Sequence, residues 1–300
     1  MRPSLEAVET ATPAVSVIQP YLQLTKPRIA AMIAVSTAVG YFFGEQGPFA
    51  IWPFLHAVIG TTLLAAGSAT LNQWYERDID ARMNRTRNRP LPSGMVSPGQ
   101  AFWFGIGISL AGLFELTLFA NFLAAAIGFA TLAGYLGLYT PLKRISPLCT
   151  TIGALPGAAP PLVGFAAARG YLNWEAWILF AILFLWQFPH FHAIALLFRE
   201  DYARGGVRML AVVRPDGKAV SRRILFTLLL LLPVSFVPAL AHPAMAGTGY
   251  LISAVVLGLG FLYFGCRVIR ERTPIAAKRL LLASVVYLPL LFAVLLLNRP

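Results

Sequence analysis

The chain has 300 residues, 58% of them hydrophobic and only 12% charged, against roughly a quarter charged in ordinary globular proteins. That balance excludes a soluble one- or two-domain protein. A formal net charge of +12 would suit a nucleic-acid binder. Its basic residues lie between long apolar blocks and build no basic domain, so the partner implied is membrane lipid and not nucleic acid.

Residues 1–22 are mixed, rich in Ala, Thr, Val and Pro, and lack the basic start and apolar run of a secretory signal. They read as a flexible tail, with a short surface helix as the alternative. Residues 23–300 read as a single membrane-embedded domain. A hydrocarbon core about 30 Å thick needs roughly 20 apolar residues per crossing helix. Nine such blocks follow, at 28–44, 50–74, 100–119, 121–139, 148–168, 174–198, 222–241, 247–268 and 278–297. The predicted fold is all-α and polytopic.

With the N-terminus on the cytoplasmic side, 22 of the 24 Lys and Arg residues fall on that face, as the excess of basic residues in cytoplasmic connections requires. Only Arg169 and Arg299 fall on the other, where nine crossings leave the C-terminus. An added or dropped span would scramble this alternation. The two long connections, 76–99 and 199–221, each follow an even-numbered span on the basic face, a spacing that hints at a duplicated half. Cys149 and Cys266 have neither disulfide nor metal-site spacing and read as packing residues.

The second span ends in Leu71-Asn72-Gln73-Trp74-Tyr75-Glu76-Arg77-Asp78-Ile79-Asp80. Asn72, Glu76 and Asp80 are spaced i, i+4, i+8, one stripe of a helix that drifts about 40° per step. Carboxylate and amide oxygens are ligands for a hard cation such as Mg²⁺, which also bridges substrate phosphates. Arg82, Arg85, Arg87 and Arg89 follow at once, and guanidinium forks suit the remaining phosphate oxygens. Such a patch also forms where a helix merely meets lipid headgroups. An Asn one turn inside the membrane favours function, since intramembrane polar groups are costly. Asp78 projects from another face and reads as the partner of a neighbouring Arg. Residues 88–94 hold two Pro and a Gly and form a turn-rich lid or connector.

Tyr139-Thr140-Pro141-Leu142-Lys143-Arg144 closes the fourth span, and Lys143 or Arg144 reads as a diphosphate ligand. The sixth span carries Trp186-Gln187-Phe188-Pro189-His190-Phe191-His192, followed by Arg199-Glu200-Asp201. Polar residues beside a Pro deep in an apolar helix mark a cavity wall. Asp201 offers the second half of a divalent-metal site. His190 either grips a substrate or ligates heme iron, whereas His192 reads as a hydrogen-bonded structural residue. His56 and His242 read as interfacial at the opposite face, and Glu115 as structural.

The two polar constellations resemble the two acidic motifs of the UbiA-type intramembrane prenyltransferases, with Glu76 where that superfamily has a middle Asp. Within it the resemblance is to the protoheme IX farnesyltransferases. It is carried by Leu24-Thr25-Lys26-Pro27-Arg28, the run from Asn72 to Met83, Arg85-Thr86, Arg89-Pro90-Leu91, Tyr139 to Arg144, Gly157-Ala158, Pro160-Pro161, Trp186-Gln187, Pro189-His190-Phe191 and Asp201-Tyr202. The resemblance implies nine helices around a central cavity with a cytoplasmic loop cap, in a bacterial-type inner membrane. It implies two Mg²⁺ on Asn72, Glu76, Asp80 and Asp201, diphosphate on Lys143, Arg144, Arg82 and Arg89, and heme contact by Trp186, Gln187 and His190. Farnesyl diphosphate and heme B would be the substrates, heme O the product, and a downstream heme A synthase a partner. A quinone or phenolic acceptor is the alternative within the superfamily. An ion-coupled transporter is the alternative outside it.

Overall fold

The computed structural model describes residues 17–241 and 245–299. Among them it is all-helical, without a strand, and nine helices are long and apolar enough to cross a membrane. In chain order these spans are Pro27–Gly44, Ile51–Asp80, Pro98–Phe119, Phe122–Leu142, Cys149–Arg169, Trp174–Leu197, Lys218–Leu240, Thr248–Glu271 and Pro274–Leu297. Each predicted block has its helix. The main departures are extensions into the polar connections, largest for the second span, which runs six residues past its apolar block to Asp80. Hydropathy marks where lipid ends, but a helix continues while its backbone bonds and caps are satisfied. Ser97 with Gln100 forms a reciprocal capping box, and Thr273 accepts from the Ala276 amide.

Polar ties at both faces fix the arrangement. On the basic face the Lys26 ammonium reaches Asn72, and the Arg208 amide donates to the Lys143 carbonyl. On the other face Asn121 caps the fourth span through the Ala124 amide and donates to the Ala166 carbonyl, 2.7 Å away. The two basic residues of this face both close on the end of the first span. Arg169 Nε donates to the Gly44 carbonyl (2.8 Å), and Arg299 donates to the carbonyls of Phe42 (3.0 Å) and Glu45 (3.3 Å). They supply the positive charge that the negative end of a helix dipole favours.

The first and fifth spans cross without room for side chains. A Cβ on Gly40 would collide with the Pro161 carbonyl, and one on Gly164 with the Thr37 carbonyl. Small residues let membrane helices approach to backbone contact. The fifth span is interrupted at Ala159, where Pro160 and Pro161 offer no amide. The main apolar core lies among the sixth to ninth spans, with Leu179, Ile182, Ile224, Leu280 and Leu291 fully buried. There the Tyr250 hydroxyl donates to the Ser235 carbonyl, and the Ser235 and Tyr287 hydroxyls lie 2.8 Å apart.

The predicted tail ends earlier than its expected boundary at residue 22. Ile18–Leu24 forms a short helix whose Leu24 is buried against Leu91, Val96 and Ala101. Val17, Ile18 and Leu22 stay exposed, the pattern of a surface helix lying on a membrane. The rest of the expected tail, residues 1–16, and His242, expected at the interface, lie outside the described residues.

Candidate active site

Thirty residues exceed what a crossing needs, so the second span carries its last turns out of the apolar layer. Asn72, Glu76 and Asp80 lie there on one face, 1%, 7% and 1% exposed. Each meets a base from a different segment. The Asp80 carboxylate accepts from Arg89 Nη1 at 2.7 Å, Glu76 from Lys143 Nζ at 2.7 Å, and the Asn72 amide oxygen from Lys26 Nζ at 3.4 Å. The Asn72 amide donates in turn to the Thr140 hydroxyl (3.2 Å), which donates to the Tyr135 carbonyl. That last bond belongs to a π-helical stretch, Gly134–Tyr139, inside the fourth span. The wider turn places Thr140 toward Asn72 and sets the Tyr139 ring beneath the Lys143 ammonium, 4.5 Å from the centroid.

Lys26 is not among the sequence-predicted diphosphate residues. It stands in the left-handed region (φ 50°) between the surface helix and the first span. Burial, and then the nearby Arg89 and Lys143, push its ammonium down to about 7. The only local signal is the Lys-Pro step, because the groups it meets are far away in sequence.

Residues 81–97 are a fixed cover. Leu91 and Val96 pack on Leu24, and the Thr86 hydroxyl donates to the Asp80 carbonyl. The cover delivers Arg89 and is held from the far side by Asp201. The Asp201 carboxylate accepts from the amides of Asn84 (3.0 Å) and Arg85 (3.3 Å) and pairs with Arg204. Burial pushes this carboxyl up, but the bonds from Arg204, Asn84 and Arg85 outweigh it and hold it below the usual carboxylate range. Arg85 lies over the rings of Phe198 and Tyr202 and donates to the Tyr202 hydroxyl.

The predicted four-residue metal set is therefore not brought together. Asp201 is spent on the cover, and no three His, Cys, Asp or Glu side chains among the described residues gather as a metal site. Arg82 and Arg144 also stand apart from the acids. Both are exposed, with no hydrogen bond or ion pair from either side chain among the described residues. Each sits one or two residues past a member of the cluster and so points from another face. Asp78 pairs with Arg77 at the surface, as expected.

On the sixth span, His190 stacks on Trp186 at 4.7 Å and its Nδ1 lies 2.8 Å from the Ser284 hydroxyl of the ninth span. The Trp186 indole donates to the Ser284 carbonyl. That hydroxyl spends its own hydrogen on the Leu281 carbonyl. It therefore accepts from Nδ1–H, which fixes the tautomer and leaves Nε2 with a free lone pair. Gln187 diverges from this pair. It is buried and donates to the Ala154 and Leu183 carbonyls against Gly157. His192 does not have the hydrogen bonds expected of a structural histidine, since neither ring nitrogen has a partner among the described residues. His56 and Glu115 pair at 2.6 Å, and His56 stacks on Phe119.

The UbiA prenyltransferase family model matches residues 33–295. A protoheme IX farnesyltransferase of Solibacter usitatus (strain Ellin6076) is 53% identical, covering 93% of this chain and 98% of that one. That of Koribacter versatilis (strain Ellin345) is 45% identical, covering 95% and 94%. A solved digeranylgeranylglyceryl phosphate synthase superposes with a TM-score of 0.78 at 19% identity, covering 95% of this chain and 99% of its own. A UbiA homologue from Archaeoglobus fulgidus, bound to GPP and Mg²⁺, gives 0.62 at 16% identity, covering 92% and 99%. At such identities these two structures speak for the fold, while the sequence relatives carry the assignment: the chain belongs to the UbiA prenyltransferase family and, within it, to the protoheme IX farnesyltransferases.

Proposed function

We propose that this membrane enzyme transfers the farnesyl group of farnesyl diphosphate to a vinyl group of heme B, with water supplying the hydroxyl of heme O and diphosphate leaving. The observation that carries this reading is the one-to-one placement of Lys26, Lys143 and Arg89 on Asn72, Glu76 and Asp80. A diphosphate arriving with a hard cation would exchange these partners. The three bases would pass to its oxygens, and the side-chain oxygens would be freed for the metal.

The donor set fits Mg²⁺, being one amide and two carboxylates on a buried helix face without a soft ligand. Since no three acids converge among the described residues, the remaining ligands would come from the diphosphate. Bound there, Mg²⁺ would offset charge on the leaving diphosphate. A second ion would take Asp201, which would first have to release Arg204. Lys143 and Arg89 hold the leaving group, with Arg82 and Arg144 available from the surface as it approaches. The Tyr139 face, already beneath an ammonium, can also face the allylic cation. The cover, with Met83, Thr86, Leu91 and Val96 turned inward, keeps water from that cation until the vinyl group has attacked. His190 presents Nε2 to the acceptor, with heme iron as the group that suits a neutral imidazole lone pair. Trp186 braces it, and Gln187 shapes the wall behind.

Residues 23–300 act as one unit in this reading, the basic face is cytoplasmic, and the membrane is the bacterial inner membrane. The apolar product stays in the bilayer, which suits hand-over to a heme A synthase. The test incubates purified protein in detergent with heme B, farnesyl diphosphate and Mg²⁺, and looks for heme O by mass, with Asp80→Ala as control. Heme O that disappears in the variant supports the proposal. Prenylation of a phenolic acceptor with no heme O overturns the acceptor.

A further inference from the structure

The unpartnered His192 opens onto a second polar place in the molecule. It is 2% exposed and lies two residues past His190, about 200° around the helix, so it turns away from Ser284. With Thr150, Thr151 and Arg223 it lines a cavity of about 100 Å³ between the starts of the fifth and seventh spans. The Thr150 hydroxyl, 5% exposed, likewise has no partner among the described residues. The Arg223 guanidinium forms no salt bridge among them. Its one hydrogen bond is a long one of 3.5 Å to the Thr151 hydroxyl. Buried polar groups left unpaired cost stability, and two of them, His192 and the Thr150 hydroxyl, facing one cavity beside a weakly bonded guanidinium describe a site and not a packing fault.

Their chemistry selects the occupant. A guanidinium, two hydroxyls and one imidazole N–H are donors for an oxyanion, and guanidinium prefers the oxygens of a phosphate or carboxylate. Position selects the source. Thr150 and Thr151 sit in the first turn of their span, Arg223 in the second turn of its own, and His192 about one and a half turns before the end of the sixth. The cavity thus lies on the order of 5–10 Å inside the basic face, at the depth of lipid headgroups and glycerol. Pro147, Leu148 and Leu210 complete its lining. Leu148 and nearby Ile145 are 56% and 65% exposed, an apolar sill on which acyl chains can lie.

We propose that this cavity binds the phosphate group of an anionic membrane lipid through Arg223, Thr150, Thr151 and His192, and so braces the fifth, sixth and seventh spans together. The site shares no residue with the diphosphate cluster and does not depend on the farnesyl-transfer reading.

The test uses the full chain, ¹⁵N-labelled at histidine, in maltoside micelles and phosphate-free buffer. The His192 signal is assigned by its loss in His192→Gln. Phosphatidic acid, inorganic phosphate and heme B are added in separate samples. Phosphatidic acid is expected to shift the His192 ring nitrogens at concentrations where inorganic phosphate does not. Arg223→Gln should abolish that shift and lower the lipid retained in native mass spectrometry at least tenfold. Thr150→Val, which keeps the side-chain shape, should weaken retention severalfold and serves if Arg223→Gln does not fold. An equal response to inorganic phosphate overturns the lipid as source. A response to heme B alone overturns it in favour of an acceptor carboxylate. No response to any probe means that the cavity holds water only, and the proposal fails. None of these readouts requires turnover, so they stand whether or not heme O is made.

Discussion

Lys143 and Glu76, 67 residues apart in sequence, meet at 2.7 Å with side chains only 14% and 9% exposed. Breaking one side of such a buried pair strands the other charge, at a cost of about 3–5 kcal/mol. Lys143→Met should therefore lower the thermal midpoint in detergent and abolish heme O formation. Adding Glu76→Gln should recover most of the midpoint and none of the activity. Recovery of both would show that the pair only supports the fold.

Asp80 carries the metal prediction. Asp80→Asn keeps the shape and one oxygen but removes the charge facing Arg89. The Mg²⁺ concentration for half-maximal rate should rise on the order of 10- to 100-fold, the penalty typical of disturbing a metal site. Chelation should stop the wild type reversibly. A variant with unchanged Mg²⁺ dependence would remove Asp80 from the metal site.

Asp201 makes a different prediction, because its carboxylate holds backbone. Asp201→Asn should speed hydrogen exchange at the Asn84 and Arg85 amides, while protection in the spans stays as it was. If those two amides exchange at the wild-type rate, the cover does not depend on this clamp.

Ser284 sets the tautomer of His190. Ser284→Ala should weaken heme B binding about tenfold by absorbance titration, and His190→Ala should weaken it further. Equal binding in Ser284→Ala would show that ring orientation is held by the Trp186 stack alone.

Gly164 tests the crossing of the first and fifth spans. Gly164→Ala should destabilise by about 1–3 kcal/mol through overpacking, whereas Gly107→Ala, with nothing near its Cβ, should be neutral. Equal midpoints in a detergent melt would mean that the crossing can relax.

The spans and the stripe of Asn72, Glu76 and Asp80 are legible in sequence because both rest on local periodicity: roughly 20 apolar residues per crossing, and oxygen ligands one turn apart. The partners of that stripe are not. Lys26 comes from 46 residues before Asn72, and Asp201 reaches back 117 residues to the Asn84 amide. Composition marks Arg82, Arg144 and Arg89 alike as bases near acids. Only the fold turns Arg89 inward and leaves the other two outside. His192 shows the same limit in reverse, since a missing partner leaves no trace in the neighbouring residues.

Arg299 grips the Phe42 carbonyl from 257 positions away. During synthesis the Phe42 and Glu45 carbonyls at the end of the first span therefore have to wait, answered only by water or headgroups, until almost the whole chain has been inserted. Arg169 reaches the same end much earlier, so the first half can be fastened provisionally while the rest is still emerging. Fastening of the chain's end to the first span is then one of the last events of biogenesis. A fusion partner placed directly after the ninth span would press on the latch that completes it.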